Sequence, residues 1–439
     1  MNLEIMQDGH FGTWLDGRKP DKVRRFCNDT RILSPGDCFV ALITEKSDGN
    51  DFIKNAERAG ASCALVSRPD TTSKLPQFIC KNTKDTLREI AMVARSKFFG
   101  RTIAITGSYG KTTTKELLSL LLGIKNNTNY QNFNGQLGVP LTVATIDNAE
   151  PFAVIEVGVD TPGEIDNLIE LVRPDLAIVT GITTIHILHM GSEEKIAQEK
   201  SKLVMNALQR GGIGILAEEC LKFSPFVSIK SQCIIARKSA KDFGYELEIL
   251  PNHYSVVIYF KHKKFYFELP KSMSLGTIQD FILACTCALQ CGITPDKIQE
   301  KIATWQPTHL RGEIIHKGHR TYFADCYNAN FVALLDSLRH FDYLFPNNHR
   351  LFVIGTLKSE EIGPTAMTQN LSILKSIPLR DGDRVFLVGE DSQMYAQKSG
   401  ISNISAFDSY NEALTDVEKF SGTVYIKGHR SYTLERLIV

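Results

Sequence analysis

Short apolar runs alternate with stretches of helical period along most of this chain, and that alternation predicts an α/β protein with a mostly parallel sheet. Ala153-Val-Ile-Glu-Val157 and Leu176-Ala-Ile-Val-Thr180 are nearly all apolar, as strands buried on both faces tend to be. Helical patterns over Gly163 to Val172 and Ser192 to Gln209 lie between and after them, so the central part reads as a sheet with helices on both faces. Upstream, Asp37 to Ile43 and Ala61 to Ser67 read as strands, and Asp51 to Ala59 and Asp85 to Phe99 as helices. Tyr245 to Leu269 alternates apolar and polar positions instead, which predicts antiparallel hairpins appended to the central sheet. Ile278 to Leu289 and Thr294 to Trp305 follow as helices. Four further strands, Thr321 to Asp325, Arg350 to Gly355, Arg384 to Gly389 and Gly422 to Lys427, end on Gly, Asp or Lys. Strand ends of that kind are where α/β sheets place ligands. Turn residues near 100 and 307 to 312 divide the chain into units 1–99, 100–308 and 309–439.

One stretch carries the most specific chemistry. Thr102-Ile-Ala-Ile-Thr106 is a strand, Gly107-Ser108-Tyr109-Gly110 a glycine-bearing turn, and Lys111-Thr112-Thr113-Thr114 opens a helix. The first N–H groups of a helix have no intrahelical partner and form an anion site. Gly107 and Gly110 let the backbone fold around a phosphate, Lys111 can reach outer phosphates, and the Thr112 hydroxyl can hold a magnesium ion. Only two residues separate the glycines, fewer than in the common phosphate-loop pattern.

Composition narrows the class. At 439 residues the chain is too long for one core. Its 43% apolar and 23% charged content is that of an ordinary globular protein, and a net charge of +1 gives no reason to expect nucleic acid or an anionic membrane as partner. The ten cysteines form no paired CxxC knuckles and sit in apolar contexts, so buried free thiols in a reducing cytoplasm are expected. A metal cluster of Cys285, Cys287 and Cys291 is the sharper alternative, but no His or further Cys lies at ligand spacing. No segment has the ~20 apolar residues of a membrane span.

Three residues around the central strands could serve a cation. Glu156 lies inside an apolar strand, where a carboxylate is costly unless it is paired or binds a metal. His186 follows the strand 176–180 and could pack, cap or ligate. Lys200, in a charged helix, reads on its own as a solvated lysine.

Taken together, Gly107 to Lys115, Asn132-Phe-Asn134-Gly-Gln-Leu-Gly138-Val-Pro140, Glu156-Val-Gly158, Pro162-Gly-Glu-Ile165, His186 and Gly191-Ser192 resemble the Mur ligases. Those are ATP-dependent amide-forming enzymes of peptidoglycan precursor synthesis. Asn28-Asp29-Thr30-Arg31 and Ser34 to Leu42 resemble the family's nucleotide-sugar domain, and Asp325-Cys-Tyr-Asn328-Ala-Asn330 and Lys427-Gly-His-Arg430-Ser431 its third domain. The resemblance covers nearly the whole chain in order. It implies a small N-terminal UDP-sugar-binding unit, a central ATPase unit with a mostly parallel sheet, and a C-terminal Rossmann-like unit. ATP and Mg2+ are the implied cofactors. Gly107, Ser108, Gly110, Lys111, Thr112 and Thr113 would cradle the ATP phosphates, and Arg311 and Asp325 would contact the nucleotide from the third unit. Thr112, Glu156, His186 and Lys200 would serve the metal, Lys200 as a carbamylated lysine, which reverses its reading as a solvated side chain. Asp29, Thr30, Arg31, Asn132, Asn134, Asn328, Lys427, Arg430 and Ser431 would face the substrates. Within the family the chain is most similar to the members that join D-alanyl-D-alanine to a UDP-muramoyl tripeptide. That implies these small-molecule substrates, a cytoplasmic monomer, and no nucleic acid or stable membrane partner.

The sequence also departs from the family. Gly276-Thr277-Ile-Gln-Asp280 stands where an Asn-rich adenine-side motif is usual, Phe331 replaces a Pro, and Gly355 to Gly363 lacks the acidic Asp-Met-x-Glu-Leu-Gly pattern. Asp160 stands in place of an Asn, and Gly181-Ile-Thr-Thr in place of Asn-Ile-Gly-Pro. An amide ligase with another amine or acyl substrate is therefore the leading alternative. A non-catalytic nucleotide-binding scaffold is the rival from another class.

Overall fold

The computed structural model describes residues 6, 11–45, 47–238, 243–347 and 349–439. Three sheets follow one another along the chain. The first has five strands in the order Thr13–Trp14, Gln77–Ile79, Cys63–Val66, Cys38–Val40, Phe26–Cys27, all parallel except the first. Its helix Thr83–Lys97 is capped by the Asn82 side chain, which accepts from the Lys84 and Asp85 N–H groups. That helix joins the first unit to the second. Buried Arg95 donates from Nε to the Val172 carbonyl at 2.8 Å and from a terminal nitrogen to the Arg173 carbonyl at 2.7 Å. A cation thus closes the C-terminal end of helix Glu164–Val172, where unpaired carbonyls and the helix dipole favour it.

The second sheet has eight strands, and the phosphate-loop strand Arg101–Thr106 lies inside it, between Phe152–Glu156 and Leu176–Val179. Outward from Leu176–Val179 come Ile213–Ala217, Cys233–Lys238 and the antiparallel strands Phe243–Ile249, His253–Phe260 and Lys263–Pro270, the hairpin material expected from alternation. The chain leaves Arg101–Thr106 to pair on one side and returns to pair on the other, so a crevice opens at the carboxyl end of that strand. Helices Lys111–Leu122 and Leu275–Gln290 cover one face of this sheet, with Leu117, Leu118, Leu121, Phe281 and Leu283 in the core. Cys285 and Cys287 are buried in the same core as free thiols, and all ten cysteines are unbridged.

The third sheet orders Glu313–Lys317, Arg320–Ala324, Gly422–Lys427, Arg350–Gly355, Arg384–Val388 and Ile404–Phe407, parallel but for the first. A fully buried guanidinium sits at the start of its interior strand Arg350–Gly355. Arg350 reaches Asp383 at 2.5 Å, Asp342 at 2.7 Å and the Pro378 carbonyl at 2.6 Å. Removing one partner of such a set leaves an uncompensated buried charge. Arg350→Ala is therefore expected to destabilise the third unit by about 3–5 kcal/mol, checked by chemical denaturation of the full chain. A loss below about 1 kcal/mol would show that the Asp383 carboxylate finds another partner or water.

Candidate active site

The phosphate loop has the local geometry its glycines allow. Gly107 sits at φ +147° and Gly110 at φ +73°, both in the region that side chains rarely adopt. Neither has room for a Cβ, which would strike Thr180 Oγ1 at Gly107 and Asp280 Oδ1 at Gly110. The loop is pinned from one side: Ser108 N donates to the Gly181 carbonyl at 2.7 Å, Thr183 N donates to Ser108 Oγ at 3.0 Å, and Thr180 Oγ1 donates to the Tyr109 carbonyl. The Tyr109 hydroxyl is bonded to Glu219. Lys111, first residue of its helix, folds back with Nζ donating to the Gly107 carbonyl at 2.7 Å. Burial pushes its ammonium below the usual lysine range, opposed by the Glu156 and Asp160 carboxylates.

Glu156 is in register with Ile105, two residues before the loop begins. Its side chain is buried at 1% exposure, and Asn134 Nδ2 donates to Oε1 at 2.5 Å, while Oε2 is buried with no hydrogen-bond partner. A half-satisfied buried carboxylate facing a phosphate loop is the donor set a hard cation takes. Among the described residues no three His, Cys, Asp or Glu side chains form a ready-made metal cage. Magnesium usually keeps waters and takes one or two protein groups, and Glu156 offers one such carboxylate. His186 takes φ +62° at the start of the short helix Ile187–Met190, with Nε2 3.2 Å from Asp160 Oδ1.

A cavity of about 1110 Å³ unites these groups with the third unit. Ser108, Gly110, Lys111, Thr112, Thr113, Asn132, Asn134, Glu156 and His186 line it from the centre, and Arg311, Asp325, Asn328 and Lys427 from the other side. Lys427 Nζ is 2.6 Å from Asp325 Oδ2, and the Arg311 guanidinium lies 4.3 Å from the centre of the Tyr327 ring.

Other sequence candidates lie outside this cavity. Arg430 stacks on Tyr327 at 5.3 Å and pairs with Glu435, and the hydroxyl of Ser431 bonds His429. Asp29 is engaged by the exposed Arg31 at 2.6 Å, which holds its carboxyl below the usual range. A smaller cavity of about 400 Å³, lined by Asn28, Asn132, Asn134, Gly158 and Asp160, borders that corner. Lys200 does not line the main cavity either. It is buried at 2% exposure inside helix Glu193–Gln209, and burial together with the Lys111 charge pulls its pKa down to about 7. Its solvated reading therefore fails.

Sequence reasoning also passed over residues the structure places here. Tyr109, Glu219, Tyr327 and Asp336 line the cavity, and Asp280 belongs to the loop's support, accepting from Thr114 Oγ1 at 3.1 Å. Burial pushes the Asp280 carboxyl well above the usual range. The drifted 276–280 segment is thus packed on the phosphate loop itself, with Gly276 N donating to Asp336 Oδ1 of the third unit at 3.1 Å.

Three α/β units around one phosphate-binding cleft define a nucleotide-dependent enzyme. Residues 26–104 match the model of the Mur ligase family catalytic domain, and residues 105–264 that of the Mur ligase middle domain. The chain is 28% identical over 431 residues to the UDP-N-acetylmuramoyl-tripeptide–D-alanyl-D-alanine ligase of Escherichia coli, covering 93% of this chain and 92% of that one. Crystal structures share the fold. MurF from Acinetobacter baumannii superposes with TM-score 0.80 at 24% identity, covering 99% of this chain and 96% of that one. MurF from Thermotoga maritima in complex with ADP superposes with TM-score 0.74 at 22% identity, covering 95% and 96%. The chain belongs to the Mur ligase family and is an ATP-dependent, amide-bond-forming ligase.

Proposed function

We propose that this ligase joins D-alanyl-D-alanine to UDP-N-acetylmuramoyl-tripeptide, with ADP and phosphate released. The observation that carries the reading is the single cavity in which the phosphate loop, Glu156 and His186 face Arg311, Asp325, Asn328 and Lys427. Similarity along the whole chain to ligases of that name supports it. The units 1–99, 100–308 and 309–439 then act as nucleotide-sugar, ATPase and amine-side domains of a monomer, and ten free thiols suit a cytoplasmic location.

A carboxylate is a poor acyl donor because oxide is a poor leaving group. The tripeptide carboxylate attacks the γ-phosphorus, the bond to ADP breaks, and an acyl phosphate forms. The dipeptide amine then adds to the acyl carbon, phosphate leaves with its bonding electrons, and the amine loses a proton. Gly107 to Thr113 cradle the phosphates through backbone N–H groups, and Lys111 neutralises charge as the phosphoryl group transfers. Thr112, Glu156 and His186 would hold the magnesium ion, with Lys200 behind them as a carbamate that buttresses this side. Such an ion supplies charge neutralisation at the phosphate oxygens. Asn134 orients Glu156. Asp29, Thr30 and Arg31 face the nucleotide-sugar, and Arg430 and Ser431 border the amine side. Closure of the third unit excludes water that would hydrolyse the acyl phosphate.

Phosphate release from ATP and magnesium, with each substrate added or omitted, tests the reading. Release that needs both, with the pentapeptide product confirmed by mass, is the expected result. Turnover with another amine only would shift the assignment to the alternative amide ligase. Glu156→Gln keeps the bond from Asn134 through its amide oxygen but removes the charge. It is expected to lower turnover about 10²-fold or more and to raise the magnesium requirement, without lowering the melting temperature. Wild-type magnesium dependence would remove Glu156 from the metal set.

A further inference from the structure

The His186 turn is held from two sides, and its own domain holds it through Met190 and Ile187 in the central core and through Asp160, 3.2 Å from His186 Nε2. The helix Ile187–Met190 has four residues, of which only Met190 is buried, and Leu188 is 50% exposed. His186 itself holds a left-handed backbone conformation that a non-glycine residue adopts only at a cost. Its outer side, with the exposed Leu188, is covered by the third unit. The short helix Ser359–Ile362 packs against it, and Gly363 approaches so closely that a Cβ there would lie 2.7 Å from Leu188 Cδ2. Gln369 Nε2 donates to Thr184 Oγ1 at 3.2 Å across the same contact, and Gln369 Oε1 is buried there without a partner.

The docking side is tied to its own unit by hydrogen bonds. Leu357 N donates to Asn370 Oδ1 at 2.8 Å, and Asn370 Nδ2 returns a bond to the Leu357 carbonyl at 3.0 Å. Thr356 Oγ1 is 2.9 Å from the Tyr432 hydroxyl, and Ile362 is buried. A second tether lies beyond the cavity, where Lys271 sits over the rings of Tyr254 and Tyr343 and the His340 ring bonds the Ser272 carbonyl at 3.1 Å. The third unit is thus fastened to the central one at two separate places. One of them is the loop that carries a candidate metal-site histidine.

We infer that residues 357–369 form a docking element that sets the position of His186, with Thr184, Leu188, Gly363 and Gln369 as positioning residues. The third unit then restrains the outer side of the turn, while Asp160 and the central core hold its inner side. This is the segment whose sequence departs from the family pattern, as does Gly181 to Thr184 opposite it. Only the activity arm of the test rests on the proposed substrates.

Amide hydrogen exchange is compared for the wild type, Gln369→Ala, Leu188→Ala, Thr184→Val and the hydroxyl-retaining Thr184→Ser, all without ligands. The first three variants are expected to speed exchange at 184–191 about fivefold or more, with the loop amides 107–113 and the helix 331–344 unchanged and Thr184→Ser like wild type. In turnover the same three should lose about tenfold in kcat, with the KM for ATP within twofold. Unchanged exchange at 184–191, or faster exchange spread through the third unit, would overturn the inference. If the wild type does not turn over these substrates, the exchange result decides alone.

Discussion

Replacing Lys111 with alanine is expected to slow phosphate transfer about 10³-fold or more while leaving the fold and its melting temperature nearly unchanged. The two halves of that expectation come from different observations. Among the described residues, the Lys111 ammonium donates only to loop carbonyls, Gly107 at 2.7 Å and Ser108 at 3.4 Å. The loop keeps its shape without it, through Ser108 on Gly181 and Thr183, Thr180 on Tyr109, and Thr114 on Asp280. With nucleotide bound, Lys111 is expected to meet the charge that builds on the transferred group, from a half-buried position on the cavity wall. The measurement is single-turnover phosphate release with saturating ATP, beside a thermal melt of the same variant. A rate within tenfold of wild type would mean that the backbone N–H groups and the cations Arg311 and Lys427 carry the transfer. Arginine at 111 is expected to recover little, because a planar fork does not replace a compact point charge in this space.

The phosphate loop was legible because its backbone leaves so few choices. Two glycines at positive φ, a β-branched strand before them and a leucine-rich helix after them admit one arrangement. The doubly buried strands were legible for a similar reason, since burial on both faces leaves a continuous apolar run. Phe26–Cys27, Gln77–Ile79, Cys233–Lys238 and Ile404–Phe407 were passed over because they are short or carry polar residues. Gln77 is an example: it is buried, yet its amide bonds the Asp70 backbone at both ends, a satisfaction that only the folded chain supplies. Site residues follow the same division. Lys111, Thr112 and Glu156 could be found by local pattern. Asp280 could not, because its role rests on a hydrogen bond to Thr114, 166 residues away. The charged helix around Lys200 hid that residue for a related reason: helical period says which residues share a face, and here a lysine shares the buried one with Ile196, Leu203 and Val204.

Lys200→Ala is expected to abolish turnover, by about 10³-fold or more, and added short-chain carboxylates are expected to restore part of it. The chemistry begins with burial. A lysine pulled down to about pKa 7 is largely neutral just above neutrality, and only the neutral amine attacks carbon dioxide. An N–C bond forms and a proton is lost, leaving a carbamate that carries a carboxylate-like charge where an ammonium stood. Activity should therefore rise with pH through about 7 and fall when carbon dioxide is removed from the buffer. The stability sign for the unmodified lysine runs the same way. Between the folded value near 7 and the ordinary value of 10.5, the unfolded chain binds more protons, so stability increases with pH across that window. Below about 7 both states are protonated and the full cost of burying the ammonium is present. Alanine removes that cost, and at pH 6 the variant should melt no lower than wild type despite the cavity it opens. Inactivity with no rescue by any small carboxylate, in a folded variant, would leave Lys200 as a structural charge. Full activity without carbon dioxide would remove the carbamate outright, and a wild-type rate in Lys200→Ala would remove the residue from the chemistry altogether.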